Sequence, residues 1–130
     1  MNVLFYIPEG NPVSEIIHGI VEIISLKAET TIVLSIKDLS HMLCWSADKH
    51  TIIALLAGSK EDLQNLVAIR HLLSGKSFIL ILPDRREGTT AMGHSLGPRF
   101  LTYADSNLAE VVAVLEKMIE NYNSKKVMEE

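Results

Sequence analysis

Between His50 and Ser59 the chain carries an unbroken apolar run, Ile52-Ile53-Ala54-Leu55-Leu56-Ala57, closed by Gly58. It is far too short to cross a bilayer, and it shows none of the apolar–polar alternation of a strand with one wet face. Such a run reads as a strand buried on both faces, which places it in the middle of a sheet covered by helices on either side. Its C-terminal tip, Gly58-Ser59, offers no carboxylate, cysteine or histidine. Whatever a ligand crevice at that tip could do, the central strand supplies little chemistry for it.

The rest of the chain supplies the partners this strand requires. Asn2 to Ile7 (NVLFYI) is a short first strand closed by Pro8-Glu9-Gly10. Asn11-Pro12 opens a helix, with asparagine as cap and proline at the first helical position, where no N–H partner is needed. Val13, Ile16, Ile17, Ile20 and Ile24 follow at helical spacing, and Val21 and Ile23 widen the apolar face. Thr30 to Ile36 (TTIVLSI) is a β-branched second strand, followed by one or two helical turns on Leu39, Met42 and Leu43. Ser46 to Lys49 is a surface loop. After the central strand, Ser59-Lys-Glu-Asp62 forms a capping box for a helix carrying Leu63 to Leu73, which Gly75 terminates. Phe78 to Leu82 (FILIL) is a fourth strand, ended by Pro83-Asp84. Arg85 to Gly97, with three glycines, holds at most a short helix anchored by Met92 and Leu96. Arg99 to Tyr103 is the fifth strand. Ser106 or Asn107 caps a last helix with Leu108, Val111, Val112, Leu115, Met118, Ile119 and Tyr122 as its stripe.

Five strands alternating with helices, several apolar on both faces, demand a parallel sheet between two helix layers. Right-handed crossovers favour a doubly wound three-layer α/β/α sandwich of strand order 2-1-3-4-5. Residues 1–122 make one such domain, and 123–130 are a flexible polar tail. At 130 residues and 48% hydrophobic content the chain buries a sizeable core as a single domain.

Charge and composition remove several function classes. A net charge of −4, with no basic cluster longer than Arg85-Arg86 or Lys125-Lys126, argues against nucleic acid and anionic membrane as partners. Cys44 is the single cysteine, so an intramolecular disulfide and a cysteine-rich zinc site are excluded. The N-terminus lacks a cationic segment ahead of its short apolar run, and a cytoplasmic location is expected.

In a doubly wound sheet the ligand crevice lies beyond the carboxyl ends of the strands. The candidate rim residues are therefore Glu9, Gly10, Asn11, Asp38, Gly58, Ser59, Asp84, Arg85 and Asp105. No dinucleotide fingerprint, P-loop or nucleophile elbow occurs among them. The histidines at 18, 41, 50, 71 and 94 fall on different elements and show no metal-binding spacing. Glu9, Asp38, Asp84 and Asp105 either cap helices or hold a hard cation, capping being the simpler reading. No cofactor, metal site or catalytic pair is assigned.

The strand pattern and length resemble the flavodoxin-like receiver domains of two-component response regulators over residues 2–121. The resemblance implies two acidic residues ending the first strand, a phosphoacceptor aspartate ending the third, a hydroxyl ending the fourth and a lysine ending the fifth. This chain reads Ile7-Pro8-Glu9-Gly10, Leu56-Ala57-Gly58-Ser59, Ile81-Leu82-Pro83-Asp84 and Tyr103-Ala104-Asp105 at those places. Aspartyl phosphorylation requires the nucleophile, the metal ligands and the cation together. The expectation is thus a degenerate, non-enzymatic receiver-like domain acting in regulation through protein contacts. Its partner is another protein or a second copy in a homodimer, with Met92, Leu96, Arg99 and Tyr103 as the candidate interface. The alternative is a small-molecule or nucleotide sensor using the same rim.

Overall fold

A computed structural model describes residues 2–10, 14–45 and 51–129, with side chains through residue 123. The strands are β1 (Asn2–Tyr6), β2 (Glu29–Val33), β3 (Ile52–Leu56), β4 (Ser77–Leu82) and β5 (Phe100–Tyr103). The helices are α1 (Ser14–Ile24), α2 (Ile36–Trp45), α3 (Lys60–Ala68), α4 (Arg70–Leu73), α5 (Glu87–Ser95) and α6 (Ala109–Glu129). All strand pairings are parallel, in the order β2-β1-β3-β4-β5. The doubly wound sheet expected from the apolar runs is the observed one.

Alternation along the central strands divides the interior into two cores. Val3, Phe5, Ile52, Ala54, Leu56, Ile79 and Ile81 meet Ile17, Ile20 and Ile24 of α1 and Val111, Leu115 and Ile119 of α6. Leu4, Tyr6, Ile53, Leu55, Phe78, Leu80 and Leu82 meet Leu39 and Leu43 of α2, Leu63 and Leu66 of α3, and Leu73 of α4. All five residues of β3 are buried, as its unbroken run demands. At about 1.5–3 kcal/mol per fully buried large aliphatic side chain, these two layers dominate the stability.

Several boundaries differ from the sequence expectation. β2 stops at Val33, and Ile36, read as the end of that strand, opens α2 instead. The cause is Ser35, whose carbonyl accepts the Leu39 amide at 3.0 Å while its hydroxyl accepts the Asp38 amide at 3.1 Å. These bonds let a full ten-residue helix form where one or two turns were expected. The single helix expected from Leu63 to Leu73 is broken at Ile69, whose backbone (φ −107°, ψ 18°) leaves the helical region between α3 and α4. Gly75, at φ +77°, closes α4 in the left-handed conformation that favours glycine. The proposed cap at Asn11-Pro12 and the loop at 46–49 lie outside the described residues. The backbone of α6 continues through the polar segment after residue 123. No described helix is long and apolar enough to cross a membrane.

The segment 85–97 forms the nine-residue α5, the short helix expected there. Its glycines are poor helix formers on their own. Gly93 instead lets the helix approach the sheet: a Cβ there would lie 3.0 Å from both δ carbons of Leu82 and 3.1 Å from Leu101 Cδ1. Leu82 is fully buried and has nowhere to go. A Gly93→Val substitution should therefore destabilise the fold by about 1–3 kcal/mol through overpacking. Urea denaturation followed by circular dichroism measures the loss, and unchanged stability would contradict this close approach.

Candidate functional site

The carboxyl ends of the strands form a rim whose polar groups are mostly engaged with one another. At the tip of β3, Ser59 is the extended N-cap of α3, and its hydroxyl accepts the Asp62 amide at 3.2 Å. The Asp62 carboxylate reaches back to the Gly58 amide at 3.1 Å. The capping box expected from Ser59 and Asp62 is present, with its return bond one residue upstream of the cap itself. The donors and acceptors of the central strand's tip are thus used to start the next helix, a contribution of about 1 kcal/mol.

At the end of β4, Asp84 closes the turn that leads into α5, whose N-cap Arg86 makes no side-chain capping bond. Its carboxylate accepts the Arg86 amide at 2.9 Å. That bond, followed by one from the Thr89 hydroxyl, holds its pKa below the ordinary value of 3.8 against an opposing effect of desolvation. The positive charges of Arg86 and Lys60 act in the same direction as the bonds.

Arg85 crosses the rim. Its Nε donates to both Asp105 carboxylate oxygens at 3.0 and 3.2 Å, and its Nη2 donates to the Ser106 hydroxyl at 2.7 Å. The guanidinium carbon lies 4.3 Å from the centroid of the Tyr103 ring, a cation–π arrangement. The Tyr103 hydroxyl in turn lies 3.2 Å from Thr90 Oγ1 on α5. One side chain therefore links the loops after β4 and β5 and lies over the aromatic ring of β5. Both members of the ion pair are more than half exposed, so the Coulombic part is modest.

The remaining candidates lie apart from this network. Glu9 is exposed, and Gly10 turns the chain at φ +80°. Asp38 sits in the first turn of α2, and Asn11 is outside the described residues. Met92, Leu96 and Tyr103 of the candidate interface are half-buried against the core on their own face of the sheet, and Arg99 donates to the Ser77 hydroxyl at 3.1 Å. Among the described residues no group of three or more His, Cys, Asp or Glu side chains is placed to hold a metal ion.

Tyr6 was not singled out in the sequence, where it reads as one more aromatic of the first strand. It is 97% shielded, faces the α3 side of β1, and has its phenol pushed up to about 12, first by burial and second by the negative charge of Asp62. The signal available was its place at the end of a buried strand, on the same face as Leu55 and Ala57.

The chain matches no family model, and no curated protein matches it. Solved structures do. A response regulator receiver domain from Methanospirillum hungatei superposes with a TM-score of 0.72 at 9% identity, over 95% of this chain and 97% of that one. A signal receiver domain from Vibrio parahaemolyticus gives 0.70 at 11% identity, over 99% and 97%. A response regulator from Burkholderia pseudomallei, whose structure contains a phosphorylated aspartic acid, gives 0.63 at 10% identity, over 98% and 74%. The fold is that of a receiver domain. At these identities the likeness extends to architecture and no further.

Two outcomes test this geometry. Because the Tyr6 pKa is raised in the fold, its stabilising effect is fully present below pH 10 and is lost as pH rises from 10 through about 12. Tyr6→Phe should remove that part of the alkaline decline, worth on the order of 2 kcal/mol by the size of the shift, when variant and parent are compared by denaturation at pH 9 and 12. Second, a double-mutant cycle on Arg85→Ala and Asp105→Ala should give a favourable coupling of about 0.2–1 kcal/mol that shrinks at high salt. A coupling of zero at low salt would mean that this ion pair contributes nothing in solution.

Proposed function

We propose that this chain is a receiver-like regulatory domain that acts through protein contacts and is not phosphorylated on aspartate. The observation carrying this reading is the tip of β3. A receiver of the kind it resembles needs its nucleophilic carboxylate there. This chain has Ala57-Gly58-Ser59, and the Gly58 amide and Ser59 hydroxyl are both bonded to Asp62. Nucleophilic attack on a phosphoryl donor requires a carboxylate aimed into the crevice and a cation to balance the transferred charge. Asp84 is tied to the start of α5, and Asp105, where a lysine would be expected from the resemblance, already holds Arg85.

The charge order at the rim supports the same reading. The loop after β4 carries the cation and the loop after β5 carries the anion, so the two loops are joined directly. No incoming phosphoryl group is needed to join them. The domain would then present one standing conformation of the β5 surface to a protein partner in the cytoplasm, or to a second copy of itself. This role involves no catalysis.

The test is incubation of the full chain with acetyl phosphate and magnesium, or with beryllium fluoride and magnesium. The expected result is an unchanged mass and unchanged amide resonances at the rim. An aspartyl-phosphate adduct, trapped by borohydride and located by mass spectrometry, would overturn the reading. Thermal stabilisation by a member of a nucleotide and metabolite panel would point instead to ligand sensing at this rim.

A further inference from the structure

An open sheet leaves two edges, and in this protein they differ. The β5 edge has no exposed large hydrophobic side chain, and Arg85 lies over its Tyr103. The β2 edge carries Ile32 at 37% exposure and, directly after the strand, Leu34 at 43%. Edge strands ordinarily discourage pairing with a charge, a proline or a bulge. From Thr30 to Leu34 the chain reads Thr-Thr-Ile-Val-Leu, and its register against β1 runs without interruption from Glu29 to Val33. Glu29 is the one charged residue of the strand, and it stands at its end.

The direction of each backbone group on β2 follows from its pairing with β1. The Ile7 amide bonds to the Val33 carbonyl, and Tyr6 is the register partner of Val33. Successive residues of a strand turn their amides and carbonyls to opposite sides, so Glu29, Thr31 and Val33 bond to β1. Thr30, Ile32 and Leu34 therefore direct theirs away from the sheet, where no described strand or loop takes them up. The side chains of Thr30, Ile32 and Leu34 also share one face. Ile32 is the register partner of Phe5, whose side chain belongs to the core under α1 and α6.

This arrangement is complementary to itself. Antiparallel to a second copy, with Ile32 on the two-fold axis, β2 sets Ile32 against Ile32 and Thr30 against Leu34. Residues opposed in this way exchange both of their backbone hydrogen bonds, and these are the residues whose groups point outward. Ile32 packs on its counterpart, and Leu34 on Thr30 and diagonally on Ile32, which covers both exposed apolar side chains of the edge. Moving the axis by one residue would set Thr30 against Ile36 inside α2, or Leu34 against Ala28 ahead of the strand. Glu29 falls opposite Ser35. At about 3.3 Å per residue the two Glu29 positions stand about 20 Å apart, well beyond the screening length of about 8 Å at physiological salt. Outward groups, apolar pair and charge all match the same segment read backwards, which selects a second copy as the occupant.

We propose that the β2 edge, Thr30–Ile32–Leu34, is where two copies of this chain join, by antiparallel strand pairing with Ile32 on the two-fold axis. The two sheets become one, and the β5 surface of each copy stays open at the far ends. The proposal rests on the reading of this chain as a domain that works by protein contact, and it names the surface through which a second copy makes that contact.

The test is amide hydrogen exchange on the full chain at low and high protein concentration, with sedimentation reporting the state of association. Sedimentation should show a dimer that dissociates on dilution. In the dimer the amides of Thr30, Ile32 and Leu34 should exchange at least about tenfold more slowly than in the monomer. Those of Thr31 and Val33, bonded to β1, should be slow in both. Thr30→Pro removes an outward amide at an edge position that tolerates proline. It should raise the dissociation constant at least about tenfold and leave the melting temperature of the dilute chain unchanged. Ile32→Lys sets like charges against each other on the axis and should weaken the dimer likewise. A chain that is monomeric at every concentration overturns the proposal and leaves the edge to a strand of another protein. So does a dimer that survives both substitutions, or one whose newly protected amides lie on β5 or α1. An aspartyl-phosphate adduct would overturn the reading of the domain as non-phosphorylated while leaving these exchange rates untouched.

Discussion

Burial of β1, β3 and β4 on both faces sets the terms for the other elements. A parallel sheet with two apolar faces is stable only between two helix layers, so each connection must be a helix crossing from one end of the sheet to the other. The backbone polar groups of the central strands are spent within the sheet, and the side chains that could do chemistry are pushed to its ends. The rim at the carboxyl ends is therefore where a doubly wound protein can carry a polar site, and its content decides the chemistry.

In this protein the rim is occupied by its own structural needs. Asp62 and Ser59 close the start of α3, Asp84 bonds the turn before α5, and Arg85 joins Asp105, Ser106 and the face of Tyr103. Among the described residues no buried side-chain nitrogen or oxygen lacks a partner. The result is a scaffold whose β4 and β5 ends are joined through Arg85.

Much of the architecture was legible from residue patterning, and the exceptions have definite causes. The runs at 52–57 and 78–82 are apolar without alternation, which left little choice of strand or position. The β2–α2 junction was misread because Leu34-Ser35-Ile36 continues the β-branched run of residues 30–33 with an apolar–polar alternation, and the cap formed by Ser35 outweighs that pattern. The short helix over 87–95 is held more firmly than its glycines suggest, because Gly93 lets it pack closely on Leu82 and Leu101. At the rim, the sequence located Arg85 and Asp105 as separate candidates 20 residues apart. Nothing in either segment indicated that they would meet, nor that Tyr103 would lie beneath the guanidinium.

By itself the sequence determined that the chain folds as a doubly wound parallel sheet with β3 at its centre, and that the tip of β3 carries no carboxylate. Both follow from local facts, the lengths and periods of apolar runs and the identity of the residues that end them. Tertiary structure decided which polar groups find each other and which apolar ones find nothing. The Arg85–Asp105–Tyr103 cluster depends on the parallel pairing of β4 with β5, and the exposure of Ile16, Ile23 and Leu26 depends on how α1 is turned over the sheet. Periodicity shows that a helix has an apolar face, but an apolar arc as wide as that of α1 does not reveal which part the core will cover. That choice is made by the shape of the opposing layer, and it leaves a stripe of α1 facing outward.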